Sequence, residues 1–304
     1  MKKFIISGLA IIVQLSCWCQ PPHRVKLQKE IEKLVIGFNG QVGIFVKSMK
    51  TGKSFSLNAD SAFPTASMVK IPILIGIMDK LQKGELQYHQ EMVYKDSLLY
   101  TGVDILGSFK DGEKIELSKL LMLMLTMSDN TASLWLQGLA GSGMRINEIL
   151  DSLGFRITRV NSRTPGRELN RDKFGWGQTT PHEMVSLLEM IYRGGIINKN
   201  VSARMLRLLG RNYWDEAGIS QVPPNIFVAC KNGAVDESRS ETMLVMAPHG
   251  PYIFSIITNN QKDLSWTPDN EGWVLTRKLS QLLWNYFEPH SGWESYMTVD
   301  GLLK

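Results

Sequence analysis

Ser67-Met68-Val69-Lys70 sets a hydroxyl and an amine three residues apart at the start of an apolar segment, with Pro64 and Thr65 just before it. On a helix such positions share a face, so the Lys70 amine can reach the Ser67 hydroxyl. A serine becomes a nucleophile only beside a base, and a partly buried lysine with a lowered pKa is one such base. Free N–H groups at a helix start also favour a developing oxyanion. Taken singly, S-x-x-K suits an ordinary surface helix start as well, and Pro72 removes a helical hydrogen bond just beyond Lys70.

Two further clusters carry chemistry. Ser128-Asp129-Asn130 follows the apolar run LLMLMLTM, so a hydroxyl and an amide sit on a loop anchored to the core. There they can relay a proton and hold a substrate amide, while Asp129 or Asn130 can also cap a helix beginning at Thr131. Lys231-Asn232-Gly233 ends the strand segment IFVACK. Alternation points Lys231 to one face, as a cleft cation able to bind a carboxylate, and Cys230 to the other, as a core thiol. Gly233 allows close approach along a strand edge, although Asn-Gly is equally a favoured turn dipeptide.

The elements that must position these groups follow from periodicity. Val25 to Phe38 reads as an amphipathic helix, and QVGIFVKSMKTGKSFSLNAD as a hairpin about Lys50-Thr51-Gly52. Helices are predicted over Ser67–Leu81, Leu117–Met127, Thr131–Leu139, Met144–Leu153, Pro181–Tyr192 and Val201–Leu209. LLMLMLTM, apolar all round, is expected to be buried on every side. Strands return in IFVACK, ETMLVMAP and YIFSIITNN, and Trp273–Tyr286 closes as a helix. The termini are therefore expected to pair into one α/β lobe, about residues 22–62 and 210–290, around an inserted helical lobe, about 63–209.

With 304 residues, 43% hydrophobic and 21% charged, the chain can bury a sizeable core, which excludes disorder and collagen-like repetition. Residues 1–19 read as a secretory signal: Lys2-Lys3, an apolar run from Phe4 to Leu15, then Pro21-Pro22. That run is too short for a bilayer span, so no membrane span is expected in the mature protein. Leu15-Ser16-Cys17, with Gln14 upstream, is a candidate lipid-attachment site. Removal of Cys17 and Cys19 with this segment leaves Cys230 without a disulfide partner. The five histidines form no metal-ligand spacing, so no metal is expected. The net charge of +5 suits an anionic cell wall or membrane surface, and the basic residues are too scattered for nucleic acid.

The three motifs, in this order and in this frame, resemble the class A β-lactamase and penicillin-recognising serine hydrolase family from about His23 to Tyr286. Thr179-Thr180-Pro181 resembles the start of the helix after that family's active-site loop. The resemblance implies an α/β plus all-α fold, an antiparallel sheet flanked by helices with an inserted helical lobe, and no cofactor. It implies Ser67 as acylated nucleophile, Lys70 as base or proton relay, and Ser128 as donor to the leaving nitrogen. Asn130 would hold the acyl amide, Lys231 the substrate carboxylate, and the N–H groups of Ser67 and Ala234 the oxyanion. Asn232 replaces the family's Thr or Ser, and Gly233 keeps its glycine. Arg239 is the candidate for a second carboxylate-binding group.

The loop RTPGRELNR departs from the pattern. In the family's β-lactamases, Arg-x-Glu-x-x-Leu-Asn supplies the carboxylate that activates the hydrolytic water. Aligning Leu169-Asn170 places Thr164 at that Arg and Gly166 at that Glu. Glu168 is then expected as a loop carboxylate paired with Arg167 or Arg171, and Asn170 to touch the hydrolytic water. Gln178 stands where an Asp often pairs with the loop arginine. The expected function is extracytoplasmic hydrolysis of β-lactam amide bonds by a monomer, through an acyl-enzyme on Ser67. A D-Ala-D-Ala carboxypeptidase or esterase, or a non-hydrolytic penicillin-binding protein, is the alternative, with a peptidoglycan-like small substrate.

Overall fold

Alternation along the strand Gln41–Ser48 divides its side chains between two cores. Val42, Ile44 and Val46 join Leu27, Ile31 and Leu279 in one, and Phe45 joins Met68 and Leu188 in the other. The computed structural model describes residues 22–101 and 104–303, so the segment read as a signal lies outside the described residues.

The first part of the chain forms α1 (Pro22–Leu34), β1 (Gln41–Ser48), β2 (Ser54–Leu57), β3 (Phe63–Pro64) and α2 (Lys70–Gln82). The middle forms β4 (Glu91–Val93), β5 (Lys114–Glu116), α3 (Leu117–Met122), α4 (Asn130–Leu139), α5 (Ser142–Ser152) and β6 (Arg159–Val160). Then come α6 (Glu168–Phe174), β7 (Gly177–Thr179), α7 (Pro181–Tyr192) and α8 (Lys199–Leu209). The end forms β8 (Val228–Val235), β9 (Ser238–Val245), β10 (Tyr252–Asn259) and α9 (Glu271–Phe287).

The main sheet is antiparallel, in the order β2-β1-β10-β9-β8, which leaves β8 at an edge. Helices α1 and α9 share the core on one face, and α2, α4 and α7 share the core on the other. An antiparallel sheet flanked by helices is thus the fold, as the resemblance implies. Among the described residues no helix is long and apolar enough to cross a membrane.

Three local differences from the sequence reading bear on function. The helix through LLMLMLTM is α-helical only to Met122, and Leu123–Met127 widens into a π-helix. Such turns redirect a helix end, and here the next residue is Ser128, in a left-handed conformation at φ +63. Asn232-Gly233 is not a turn, because pairing with β9 carries β8 on to Val235, and the chain reverses at Asp236-Glu237. Pro72, which looked disruptive, is the third residue of α2, in the first turn where its missing N–H has no helical partner to lose.

Candidate active site

Ser67 lies on a single 3₁₀ turn, Ala66–Val69, that leads into α2 at Lys70. Three residues per turn eclipse positions i and i+3, so the turn aligns Lys70 with Ser67 more directly than an α-helix would. Ala66 just before Ser67 has φ +44, a conformation costly for a residue with a side chain. Gly233 on β8 braces this turn, since a Cβ added there would lie 2.7 Å from the backbone nitrogen of Ser67. The close approach expected of this glycine is therefore made to the Ser67 turn itself.

Lys70 is fully buried, and its Nζ lies 3.0 Å from Ser67 Oγ and 3.0 Å from Ser128 Oγ. It also lies 2.5 Å from Ser128 O and 2.9 Å from Asn130 Oδ1, two oxygens that can only accept. Burial, and next the charge of Lys231, hold the Lys70 amine well below the usual lysine range. A neutral amine carries two hydrogens and one lone pair. Donating both hydrogens to the two obligate acceptors leaves the lone pair for a serine proton. Acidic residues nearby, Asp104 and Asp129, oppose this shift without reversing it.

The loop after the π-helix is fixed from several sides. Asp129 caps α4, its Oδ1 accepting from Ala132 N at 2.7 Å, and its Oδ2 accepts from Leu106 N at 3.0 Å. Asp104 Oδ2 accepts from the backbone N of Asn130 at 3.0 Å and of Thr131 at 2.8 Å. With Oδ1 of Asn130 on Lys70, its Nδ2 is the end left for a ligand carbonyl.

On β8, Cys230 and Lys231 take opposite faces, and Cys230 is a core thiol that accepts from Asn212 Nδ2 at 3.1 Å. Lys231 departs from expectation in being wholly buried rather than open to the cleft. Its ammonium donates to Asn232 O at 2.9 Å and to Asn232 Oδ1 at 3.0 Å, and burial lowers its pKa to about 8. Asn232, Gly233 and Ala234 line the cleft above it. Val235 and Ser238 flank the two-residue turn as a hydrogen-bonded pair, so alternation aims the N–H groups of Asn232 and Ala234 at the open edge.

The cleft holding Ser67, Ser128 and Asn130 has a volume of about 510 Å3. Two expected members lie elsewhere. Arg239 is buried, its guanidinium donating to the carbonyls of Val235, Ser238 and Ser265, so it clamps the β8–β9 hairpin instead of facing a ligand. Asn170 does not line the cleft, and its Nδ2 donates to Gln178 Oε1 at 2.9 Å. The sequence reading missed Asp104, Glu216, Arg277 and the indoles of Trp214, Trp266 and Trp273, all of which line the cleft. No motif in the sequence marked these residues, and the exposure of Trp214 and Trp266 appears only in the fold.

The loop after β6 also differs from expectation. Glu168 pairs with neither arginine: its Oε1 accepts from Gly166 N at 3.1 Å. Arg167 is the anchoring arginine, donating to Asn161 Oδ1 at 2.9 Å and to Gln178 Oε1 at 2.7 Å. Neutral amides thus do what a carboxylate would do there. Gly166, at φ +77, opens to solvent. Beyond the loop, Thr180 caps α7 by accepting from Glu183 N at 3.0 Å, with Pro181 in the first helical position.

The beta-lactamase enzyme family model matches residues 26–287. The chain is 22% identical to Beta-lactamase VEB-1 of Pseudomonas aeruginosa over 86% of this chain and 90% of that one. It is 26% identical to an imipenem-hydrolyzing beta-lactamase of Enterobacter cloacae over 77% of this chain and 82% of that one. Among solved structures, PBP-A aligns with a TM-score of 0.77 at 22% identity, covering 87% of this chain and 96% of that chain. A point variant of PBP-A, solved as an acyl-enzyme complex with penicillin G, aligns at 0.76 and 23% identity, covering 89% and 100%. A class A beta-lactamase from Mycobacterium abscessus aligns at 0.76 and 20% identity, covering 86% and 99%.

Proposed function

The chain belongs to the beta-lactamase enzyme family, and from that premise we propose that it is an extracytoplasmic serine hydrolase acylated at Ser67 by β-lactams. The observation that carries the reading is the Lys70 amine, buried, depressed in pKa and 3.0 Å from Ser67 Oγ. Neutral Lys70 takes the Ser67 proton as Oγ attacks the lactam carbonyl, and the oxyanion meets the N–H groups of Ser67 and Ala234. Ser128, 3.0 Å from the same amine, passes the proton to the leaving nitrogen as the C–N bond breaks. Asn130 Nδ2 holds the acyl amide, and Asn232, backed by the Lys231 charge, holds the substrate carboxylate. The amino-terminal residues, Lys2-Lys3 ahead of a short apolar run, support export to act outside the cytoplasm.

The loop favours a second reading of how the acyl-enzyme ends. None of the described residues 163–171 lines the cleft, and Glu168 is turned to Gly166 N. Without a loop carboxylate to activate water, β-lactam release is slow, and the turnover substrate is a peptidoglycan-like amide or an ester. The point variant of PBP-A, a structural neighbour, was solved as an acyl-enzyme complex with penicillin G, which supports acylation of this fold by a β-lactam.

Intact-mass measurement after mixing with a penicillin, followed over time, tests both. An adduct on Ser67 that clears supports β-lactamase action, and one that persists alongside ester or D-Ala-D-Ala turnover selects the second reading. Ser67→Ala abolishes either. Complete resistance of Ser67 to penicillins, cephalosporins and activated esters overturns both.

A further inference from the structure

The two ends of the cleft differ in chemistry. Asp104, Ser128 and Asn130 lie on the helical side, Trp266 and Pro268 lie by Trp273 of α9, and Trp214 stands against Met127, next to Ser128. Trp266 is 64% exposed and Trp214 42% exposed, a large apolar surface to leave in water beside a nucleophile.

These rings are held in place. The Arg239 guanidinium carbon sits 4.7 Å from the centre of the Trp266 ring and 5.8 Å from that of Trp273. Arg239 is pinned by main-chain carbonyls that accept from both its Nη1 and its Nη2. Trp214 is locked from the opposite wall, its Nε1 donating to Met127 O at 3.0 Å. Rigid aromatic surface of this kind is what a flat apolar ligand group stacks on.

Charge at this end points the same way. Arg277 lines the cleft, yet its nitrogens donate to the carbonyls of Val299, Glu216 and Pro268, so its fork is turned to main chain. The exposed Glu216 carboxylate at the rim repels anions. Beyond the single carboxylate that Asn232, backed by the Lys231 charge, can take, no described residue lining this end receives another.

With Asn130 holding the acyl amide and Ser128 handing its proton to the leaving atom, the group that departs lies beside Ser128, where Trp214 stands, and extends along the cleft toward Trp266. We infer that the preferred substrates are esters or amides whose leaving group carries an aromatic ring, stacked against Trp266 and Trp214. This rests on Ser67 being the acylated nucleophile. For an ester, the bond from Ser67 Oγ to the acyl carbon forms as the bond from that carbon to the leaving oxygen breaks. The Ser67 proton reaches the leaving oxygen through Lys70 and Ser128, the aromatic alcohol departs, and water then releases the acid and restores Ser67.

The probes are N-acylglycyl esters of phenyllactate and of lactate, which share acyl group, leaving oxygen and carboxylate and differ by one phenyl ring. Wild-type kcat/KM is expected to favour the phenyllactate ester by about tenfold or more. That preference falls toward one in Trp266→Ala and in Trp214→Ala, and Trp266→Phe restores most of it. Equal rates for the two wild-type esters overturn the inference, as does a preference that survives both alanine variants. Mass labelling of Ser67 by a penicillin separates the failures: labelling with no ester preference sinks only this inference, whereas no labelling sinks the reading beneath it.

Discussion

Lys70 Nζ lies 3.0 Å from Ser67 Oγ, with its hydrogens claimed by Ser128 O and Asn130 Oδ1. Base strength therefore depends on an amine that sheds its proton easily. Lys70→Met should lower the acylation rate by about 10² to 10⁴ while leaving Ser67 in place. Lys70→Arg should be no better, because a guanidinium keeps its proton. Stopped-flow acylation by a penicillin measures both, and substantial activity in Lys70→Arg would move the base elsewhere.

Two lysines with opposite requirements give acylation two pH limbs. Lys70 must be neutral, and burial with the Lys231 charge brings its deprotonation well below the usual lysine range. Lys231 must be charged, and its pKa, lowered by burial but supported by the Glu241 carboxylate, is about 8. Acylation should rise with pH as Lys70 deprotonates and fall above about 8 as Lys231 does. In Lys231→Arg the alkaline limb should vanish from the accessible range. A pH profile with the same alkaline limb in that variant would assign the limb to another group.

The loop carboxylate gives a sharper expectation than the sequence did. Glu168 is exposed and accepts only a local N–H from Gly166, so Glu168→Gln should change the deacylation rate less than about twofold. Release of the penicilloyl group, followed by intact mass, reads this directly. A tenfold slowing would restore Glu168 as the base.

What the sequence revealed and what it hid have distinct causes. Ser67, Lys70, Ser128 and Asn130 were legible because local spacing alone fixes which groups a helix start and a core-anchored loop present, and they meet at Lys70 Nζ. The main-sheet strands were legible as short apolar runs bounded by turn residues. Helix Glu168–Phe174 was not, because Leu169 is 84% exposed and no apolar face marks the segment. Asn232-Gly233 reads locally as a turn, and only pairing of Asn232 with Glu241 and Gly233 with Ser240 makes it strand. Arg277 reaches the cleft because the tail packs back, giving Val299 O to its Nε while Ser295 and Met297 take the Gln221 amide. Periodicity cannot show that a terminal segment returns to brace a distant wall.

Glu241 lies opposite Asn232 on β9, fully buried, its Oε2 accepting from Gly218 N at 2.7 Å and its Oε1 without a partner. Burial raises its pKa from 4.5 to about 7, against the pull of the Gly218 N–H, Lys231 and Arg277. Because the folded value is the higher one, the folded state holds this proton more tightly. The associated stability is complete below about 4.5 and is lost as pH rises through about 7. Glu241→Gln keeps an acceptor for Gly218 N and removes the titration. It should therefore match wild type near the acid end and exceed it well above pH 7, by on the order of 3 kcal/mol. The same change withdraws a negative charge from Lys231, so the alkaline limb of acylation should move to lower pH. Urea unfolding at both ends of the range, with the acylation profile, tests the pair of effects. A stability difference independent of pH would mean that Glu241 is already neutral throughout, or ionised throughout, and that its charge does not reach Lys231.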